Sequence, residues 1–364
     1  LSIKKLLIFS FQLLVLFSFA QKREQLDSVF LSNKSLSAEE IIRKATENIS
    51  ENYFLDTIHF EINKKFDQNY EYKDFEIDSK KAKLIPKDKR NDFENEIAAL
   101  VSSLKNNNHN FSYTTIFGYY QKKHAKPHLK PIIKTQVTSD VKRKIQFDYT
   151  IDKFEKILQK YVDTDEKLTV KSGLFPIERN LTTTSKKDIS YQTKIVTDSY
   201  HWQKDKILNP GTFDFISDVE AYQYEIDKTH TYQGELVYKI SFRPKKSRAK
   251  LMGFVIISPT DYAILQAKYS LAEGKKIWGI NLKFPLGVKV AHNIFAGEFS
   301  YKRGNSSKYV PVKFEISTGE YNYIHRDLLI KTQNGFFRQA DKLKFKLLLE
   351  VQEKSTEIYT FNIL

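Results

Sequence analysis

The sequence predicts an α+β fold: a curved, largely antiparallel β-sheet, an open half-barrel, packed against a few helices of the N-terminal half. Three observations predict it. Apolar residues recur at helical spacing in several stretches before residue 164. After 165 they alternate with polar residues, and short polar turns separate the runs, which is the spacing of a meander. Helices placed early and strands placed late are the α+β order.

The first clear helix follows Leu36. Ser37-Ala38-Glu39-Glu40 reads as a capping box, in which the Ser37 hydroxyl accepts from the backbone N–H of Glu40 and the Glu40 side chain reaches back to the N–H of Ser37. Leu36 and Ile41 have the spacing of a hydrophobic staple. Ile41, Ile42, Ala45 and Ile49 form one stripe, so the helix is expected to end near 48–50, with extended chain from Tyr53 and Phe54. Residues 55–78 read as one or two strands. Ile58, Phe60 and Ile62 alternate, then Tyr70, Tyr72, Phe75 and Ile77 follow with one break in step. A charged loop runs through Lys80, Lys81 and Lys83 to Pro86.

Phe93, Ile97, Leu100, Val101 and Leu104 predict a second helix over 90–105, stopped by Asn106, Asn107 and Asn108. The stretch 109–135 is rich in Lys, His and Pro around Phe117, Tyr119 and Tyr120, and reads as a long surface loop or lid. Ile151, Phe154, Ile157, Leu158 and Tyr161 predict a third helix. From 165 the period is two. Leu236, Tyr238, Ile240 and Phe242 alternate with Val237, Lys239, Ser241 and Arg243. The run 251–258 is apolar on both faces, the mark of a central strand, and 263–271 follows the turn at Pro259-Thr260-Asp261. Trp278, Ile280, Leu282 and Phe284 alternate again. Phe299 and Tyr301 lead to a turn at Gly304, and Val310, Val312, Phe314 and Ile316 return. Leu343, Phe345, Leu347, Leu349 and Val351 form the next strand, and 358–363 the last.

The N-terminus has a different character. Lys4 and Lys5 precede the apolar run 6–17, then Ser18-Phe19-Ala20, and the chain turns polar at Gln21. This is the layout of a secretory signal peptide. The competing reading is an uncleaved anchor, but the run is shorter than the ~20 apolar residues that spanning needs. The expected organisation is a signal peptide at 1–20, a polar lead at 21–36 and a single α+β envelope domain at 37–364. Within that domain, 37–164 holds the helices and 165–364 the β-meander. Export to the periplasm, or to the periplasmic face of the outer membrane, is expected, with no transmembrane helix after cleavage.

Cleavage after Ala20 leaves 344 residues with no cysteine. A fold of this size without disulfides is held by its core alone. Zero cysteine excludes thiol catalysis, thiolate zinc sites and a lipid-modified cysteine. The net charge of +15 falls to +13 when Lys4 and Lys5 leave. Such an excess favours anionic lipid or acidic polysaccharide, or reflects composition alone. Export disfavours nucleic acid.

Of eight histidines, His124 and His128 are the closest pair. Pro127 breaks the helical face an i, i+4 zinc pair needs, and Lys122, Lys123, Lys126 and Lys130 crowd it. No metal and no cofactor is therefore expected. The chain has no Gly-x-Ser-x-Gly, His-Glu-x-x-His, Gly-x-Gly-x-x-Gly or Walker motif. Carboxylate pairs (Asp163 with Asp165, Glu94 with Glu96) lie in charge-rich stretches and read as surface. No catalytic residue is assigned.

Aromatic residues are the one unusual enrichment, at 14%. Most sit at strand positions, where they suit either an ordinary core or a concave apolar surface. On the second reading Tyr238, Phe242, Phe254, Tyr269, Trp278 and Phe284 line a site for an amphipathic ligand. Arg243, Lys245, Lys246, Arg248 and Lys250 form a basic hairpin turn, either a solvated turn or a contact for anionic head groups. Asp27-Ser28-Val29 and Asp56-Thr57-Ile58 match a short glycosylation pattern of exported Bacteroidota proteins.

Two stretches resemble a known family. Ala38-Glu39-Glu40-Ile41-Ile42-Arg43-Lys44-Ala45, continuing to Tyr53, is similar to the helix after the β-sandwich of Bacteroidota carboxypeptidase-like regulatory domain-containing envelope proteins. Val237-Tyr238-Lys239-Ile240-Ser241-Phe242-Arg243-Pro244 and the run from Phe254 to Ile264 resemble that family's later hairpin. The same hairpin looks similar to the curved sheet of periplasmic lipoprotein carriers. The family's β-sandwich has no room between 21 and 36, so this chain resembles a short member without it. The resemblance carries no catalytic residue. It implies a non-enzymatic envelope protein binding a lipid-like ligand or an outer-membrane partner. Two alternatives stay open: an envelope hydrolase acting on a glycan or peptide, and a small outer-membrane barrel. Lysines recur on the strands, and each costs up to ~2–4 kcal/mol on a lipid-facing surface, which counts against the barrel.

Overall fold

The computed structural model describes residues 36–53, 55–82, 84–105, 109–122, 128–130, 146–162, 168–172, 175–177, 189–227, 230–304, 307–332 and 342–364. The signal-like segment, the polar lead, His124 and Asp27-Ser28-Val29 lie outside them.

Helix α1 spans Ala38–Glu47 and α2 spans Ile49–Tyr53. Ile41, Ile42, Ala45 and Ile49 are all buried, as their spacing requires. Tyr53 belongs to α2 rather than to extended chain, because its hydroxyl donates to the Ile264 carbonyl at 2.7 Å and holds the last turn against the sheet. Strand β1 is one element, Thr57–Ala82. Helix α3 spans Arg90–Lys105 and buries Phe93, Ile97, Leu100 and Leu104.

Residues His109–Lys122 are strand β2, not a surface excursion. β2 pairs with β1 along its whole length, from His109 opposite Tyr70 to Lys122 opposite Thr57. Its buried face is Tyr113, Thr115, Phe117 and Tyr119. A threonine in an aromatic row hid the alternation. A short β3, His128–Lys130, pairs back onto β2. Helix α4, Gln146–Tyr161, is the third helix the spacing predicts.

β4 (Leu168–Ser172) and β5 (Phe175–Ile177) form a small hairpin. Ile189–Leu208 is a helix, α5, within a stretch read as period two. Its apolar residues are too sparse to mark a stripe. Helix α6 is one turn, Asp214–Ser217. Then come β6 (Tyr222–Ile226), β7 (His230–Tyr232), β8 (Glu235–Pro244), β9 (Leu251–Ile257), β10 (Ile264–Leu271) and β11 (Trp278–Leu282). Phe284 does not continue β11, because the chain bends over Lys283–Leu286 (α7), kinked at Phe284 with φ −114° and ψ 119°, and closes at Gly287 in the left-handed region at φ 63°. β12 (Val288–Arg303), β13 (Tyr309–Thr332) and β14 (Lys342–Ile363) complete the chain.

The strands form one open sheet in the order β3-β2-β1-β14-β13-β12-β10-β9-β8-β6. Every pairing among the described residues is antiparallel, and none joins the two ends into a barrel. The fold is α+β. The last strand lies in the middle: β14 pairs with β1 on one side and β13 on the other.

The break in step along β1 is a β-bulge. Tyr72 opposes Val351 and Asp74 opposes Glu350, so Lys73 is the extra residue. The bulge moves the inward set from even to odd numbers. Tyr70, Tyr72, Phe75 and Ile77 thus stay on one face, with Phe345, Leu349, Phe93, Leu104 and Leu158. Helices α3 and α4 cover this end of the inner face. The other end is covered by α5, where Tyr200 packs edge-on against Phe117 and Tyr119. Next to it, Phe215 of α6 stacks on Phe242 at 4.3 Å.

Two outcomes test this packing. Phe75→Ala should cost about 3–5 kcal/mol by chemical denaturation. Deleting Lys73 should leave a regular ladder in which Phe75 still opposes Leu349 and Ile77 still opposes Leu347, so the variant should fold with both side chains under α3 and α4; a deletion variant that fails to fold would overturn the bulge assignment. The buried tyrosines set an alkaline limit. Burial raises Tyr53, Tyr200, Tyr301 and Tyr359 above the usual phenol value, and Tyr119 to about 12. The unfolded chain therefore loses these protons first, and stability falls as pH rises above about 10. The part of the tyrosinate absorbance that comes from these buried tyrosines should appear together with the loss of circular dichroism, not before it.

Candidate functional site

Residues directly opposite in an antiparallel pair share a face, so the register lays out the inner surface row by row. One row is polar in the middle: Tyr70, Glu353, Glu320, His292 and Trp278, taken from β1 across β14, β13 and β12 to β11. The next row is Tyr72, Val351, Asn322, Val290 and Ile280. The row after the bulge is Phe75, Leu349, Ile324, Val288 and Leu282. A polar band thus borders an apolar field on one continuous surface.

The β1 and β14 side of this field is closed under α3 and α4. The β11 side is open: Trp278 is 47% exposed, Ile280 52% and Leu282 39%. The reason lies in topology. β10 and β11 lie end to end along β12, β10 against 296–300 and β11 against 288–292. β11 has no partner on its other side among the described residues. Gly279 lets it sit close, since a Cβ there would lie 2.7 Å from the Val290 carbonyl oxygen.

The polar band is built from paired groups. His292 Nε2 lies 2.5 Å from Glu320 Oε2, and the Trp278 ring stacks on His292 at 4.7 Å. Gln68 donates to Glu353 at 2.7 Å. Glu320 and Glu353 face each other across the β13–β14 ladder. These groups offer hydrogen-bond acceptors and an aromatic face to a polar head group, beside an apolar wall.

A second polar cluster sits under α5 and does a different job. Lys64 of β1 is fully buried, an unusual place for an amine. Its Nζ donates to Ser199 Oγ of α5 at 2.7 Å and lies 3.5 Å from Glu357 Oε2. Ser199 donates to the same carboxylate at 2.7 Å, and the Tyr359 hydroxyl also donates to it. Burial lowers the Lys64 pKa, and the Glu357 charge opposes the shift. Every member has a partner, so the cluster works as a latch between helix and sheet.

The sequence-picked residues divide. Tyr238, Phe242 and Tyr269 share the inner face, and Phe242 and Tyr269 are buried in the aromatic core with Phe213 and Phe215. Tyr269 lies so close over Gly297 that a Cβ there would meet its hydroxyl at 2.5 Å. Phe254 opposes Ser241, on the other face, under the Lys239 ammonium. Trp278 borders the open field. Phe284 is 94% exposed on α7, off the strip. In the basic hairpin, Arg248 forms a bidentate pair with Asp218 at 2.6 and 2.8 Å, and Lys250 donates to the Ile277 carbonyl. Arg243, Lys245 and Lys246 are exposed. His292, Glu320 and Glu353 were missed, since they join only through the ladder of three strands. Among the described residues no cluster of His, Asp and Glu is arranged to hold a metal ion.

The latch makes a prediction. Lys64→Met leaves Glu357 without its cation and should destabilise by about 3–5 kcal/mol, because half-removed ion pairs are costly. Adding Glu357→Gln should recover most of that loss; a double variant as unstable as the sum of both singles would argue against coupling.

No protein-family model matches the chain, and no curated protein matches it. Two solved structures share 9% identity with it. One is an outer membrane lipoprotein-sorting protein domain from Vibrio parahaemolyticus, with 90% of this chain and 93% of that one covered and a TM-score of 0.24. The other is a LolA superfamily protein from Nitrosomonas europaea, with 90% and 94% covered and a TM-score of 0.22.

Proposed function

We propose that this chain is an exported, non-enzymatic envelope protein that holds a lipid-like, amphipathic ligand on the inner face of its sheet. The periplasm, or the periplasmic face of the outer membrane, is its place. One observation carries the reading. The half-exposed side chains of Trp278, Ile280 and Leu282 continue an apolar field that ends at the polar row of His292, Glu320 and Glu353. A tail lies on the field and a head group reaches the row. Burying an apolar side chain against a ligand is worth about 1.5–3 kcal/mol, so a few contacts suffice for micromolar affinity.

The test has two parts. An organic extract of the purified protein should yield a bound amphiphile by mass spectrometry. A fluorescent acyl-chain probe should bind, and Ile280→Asp should weaken it at least tenfold, since one such contact is worth about 1.5 kcal/mol or more. A clean extract together with unchanged probe binding by Ile280→Asp would sink the reading.

A second reading, hydrolysis of a glycan or peptide, draws on the facing Glu320 and Glu353 beside His292. It expects Glu320→Gln to abolish turnover of a cell-wall glycan or peptide. Ligand binding alone expects no turnover by the parent protein and retained acyl-probe binding by the variant.

A further inference from the structure

The segment from Glu273 to Lys289 carries an exposed apolar edge between lysines. In sequence it reads Lys275-Lys276-Ile277-Trp278-Gly279-Ile280-Asn281-Leu282-Lys283-Phe284, with Lys289 beyond. Against these four lysines stands one acid, Glu273. Lys276, Lys283 and Phe284 are exposed, and Phe284 sits at the tip of the α7 turn with nothing covering its ring. The Lys250 bond to the Ile277 carbonyl brings a second basic group alongside. Lys245 and Lys246 are exposed at the other end of the loop that leads to Lys250, where their backbone N–H groups donate to the Ala221 carbonyl.

Lysines beside an edge strand also guard against pairing with another chain. That role explains the charges. It does not explain a phenylalanine held out in water or a half-exposed tryptophan between them. Aromatic rings with flanking lysines suit one environment above others, the boundary between head groups and acyl chains of an anionic bilayer. Rings settle at that boundary, long amine stems reach the phosphates, and each nearby lysine adds attraction.

We propose that the β11–α7 edge docks this protein on an anionic membrane surface. Phe284 and Trp278 enter the boundary layer, and Lys275, Lys276 and Lys283 contact lipid phosphates. The open side of the apolar field borders the same edge, so a docked protein presents that side to the membrane.

The experiment is sedimentation of the mature chain with vesicles of phosphatidylcholine alone and of phosphatidylcholine mixed with phosphatidylglycerol. Binding is expected only to the mixed vesicles, and it should weaken as salt rises. Phe284→Ser should lower the affinity about tenfold, and Lys275→Glu with Lys276→Glu about tenfold or more. Because Phe284 touches no core, Phe284→Ser should melt like the parent and still bind the acyl-chain probe. A failure of docking is thus distinct from a failure of the ligand reading. Equal binding of parent and variants, or equal binding to both kinds of vesicle, overturns the proposal. So does a dimer in vesicle-free solution that Phe284→Ser abolishes, which would assign the edge to a second copy.

Discussion

The pairing of β14 between β1 and β13 is the constraint on which the rest depends. It joins the first long strand to the last across nearly the whole chain. Three neighbours of 26, 22 and 24 residues run side by side, and each row of inner-face residues is defined by that alignment. A slip of one residue would turn every inward side chain outward, so the buried rows pin the register as firmly as the hydrogen bonds do. The bulge at Lys73 is part of the same device. It lets one strand keep Phe60 and Ile62 under one helical cover and Phe75 and Ile77 under another, on one face.

The helices divide that face between them. α3 and α4 close one end with aliphatic and aromatic contacts, and α5 and α6 close the other with rings packed edge-on and stacked. Between the covers the sheet carries polar groups: Gln68, Ser355, Thr318, Glu353, Glu320 and His292. The buried Lys64 shows the cost of polarity in a closed region, where two hydroxyls must converge on one amine and one carboxylate. The band at Glu320 and His292 is partly open to water and carries a lighter burden. That difference separates a fastening from the surface to which the proposal assigns a ligand.

An apolar field that is closed on one side and open on the other holds a ligand only if its open side is shielded when empty or lies near the ligand's source. The edge strand β11 gives the field its opening, and lysines at both of its ends keep that opening from pairing with another sheet. A ligand site and a docking edge built from adjacent residues would make one surface serve uptake and retention.

Local pattern was enough for much of this. Period alone determined α1, α3, α4, β8 and β9, since each buries a stripe or an alternating face that neighbouring residues define. The break in β1 was visible as a break, because a bulge shifts parity within one strand. α5 and β2 were not visible. α5 is amphipathic only against a sheet that supplies the partners of Tyr200 and Ser199, and β2 hides a buried Thr115 in its aromatic row. The aromatic count signalled a core or a concave surface without separating them. Only the tertiary structure put Phe254 on the far face, sealed Tyr269 and Phe242 inside, and left Trp278 and Phe284 at an edge. Which residues of a strand share a face is a local matter, but which of the two faces turns inward, and what covers it, are decided by elements tens to hundreds of residues away.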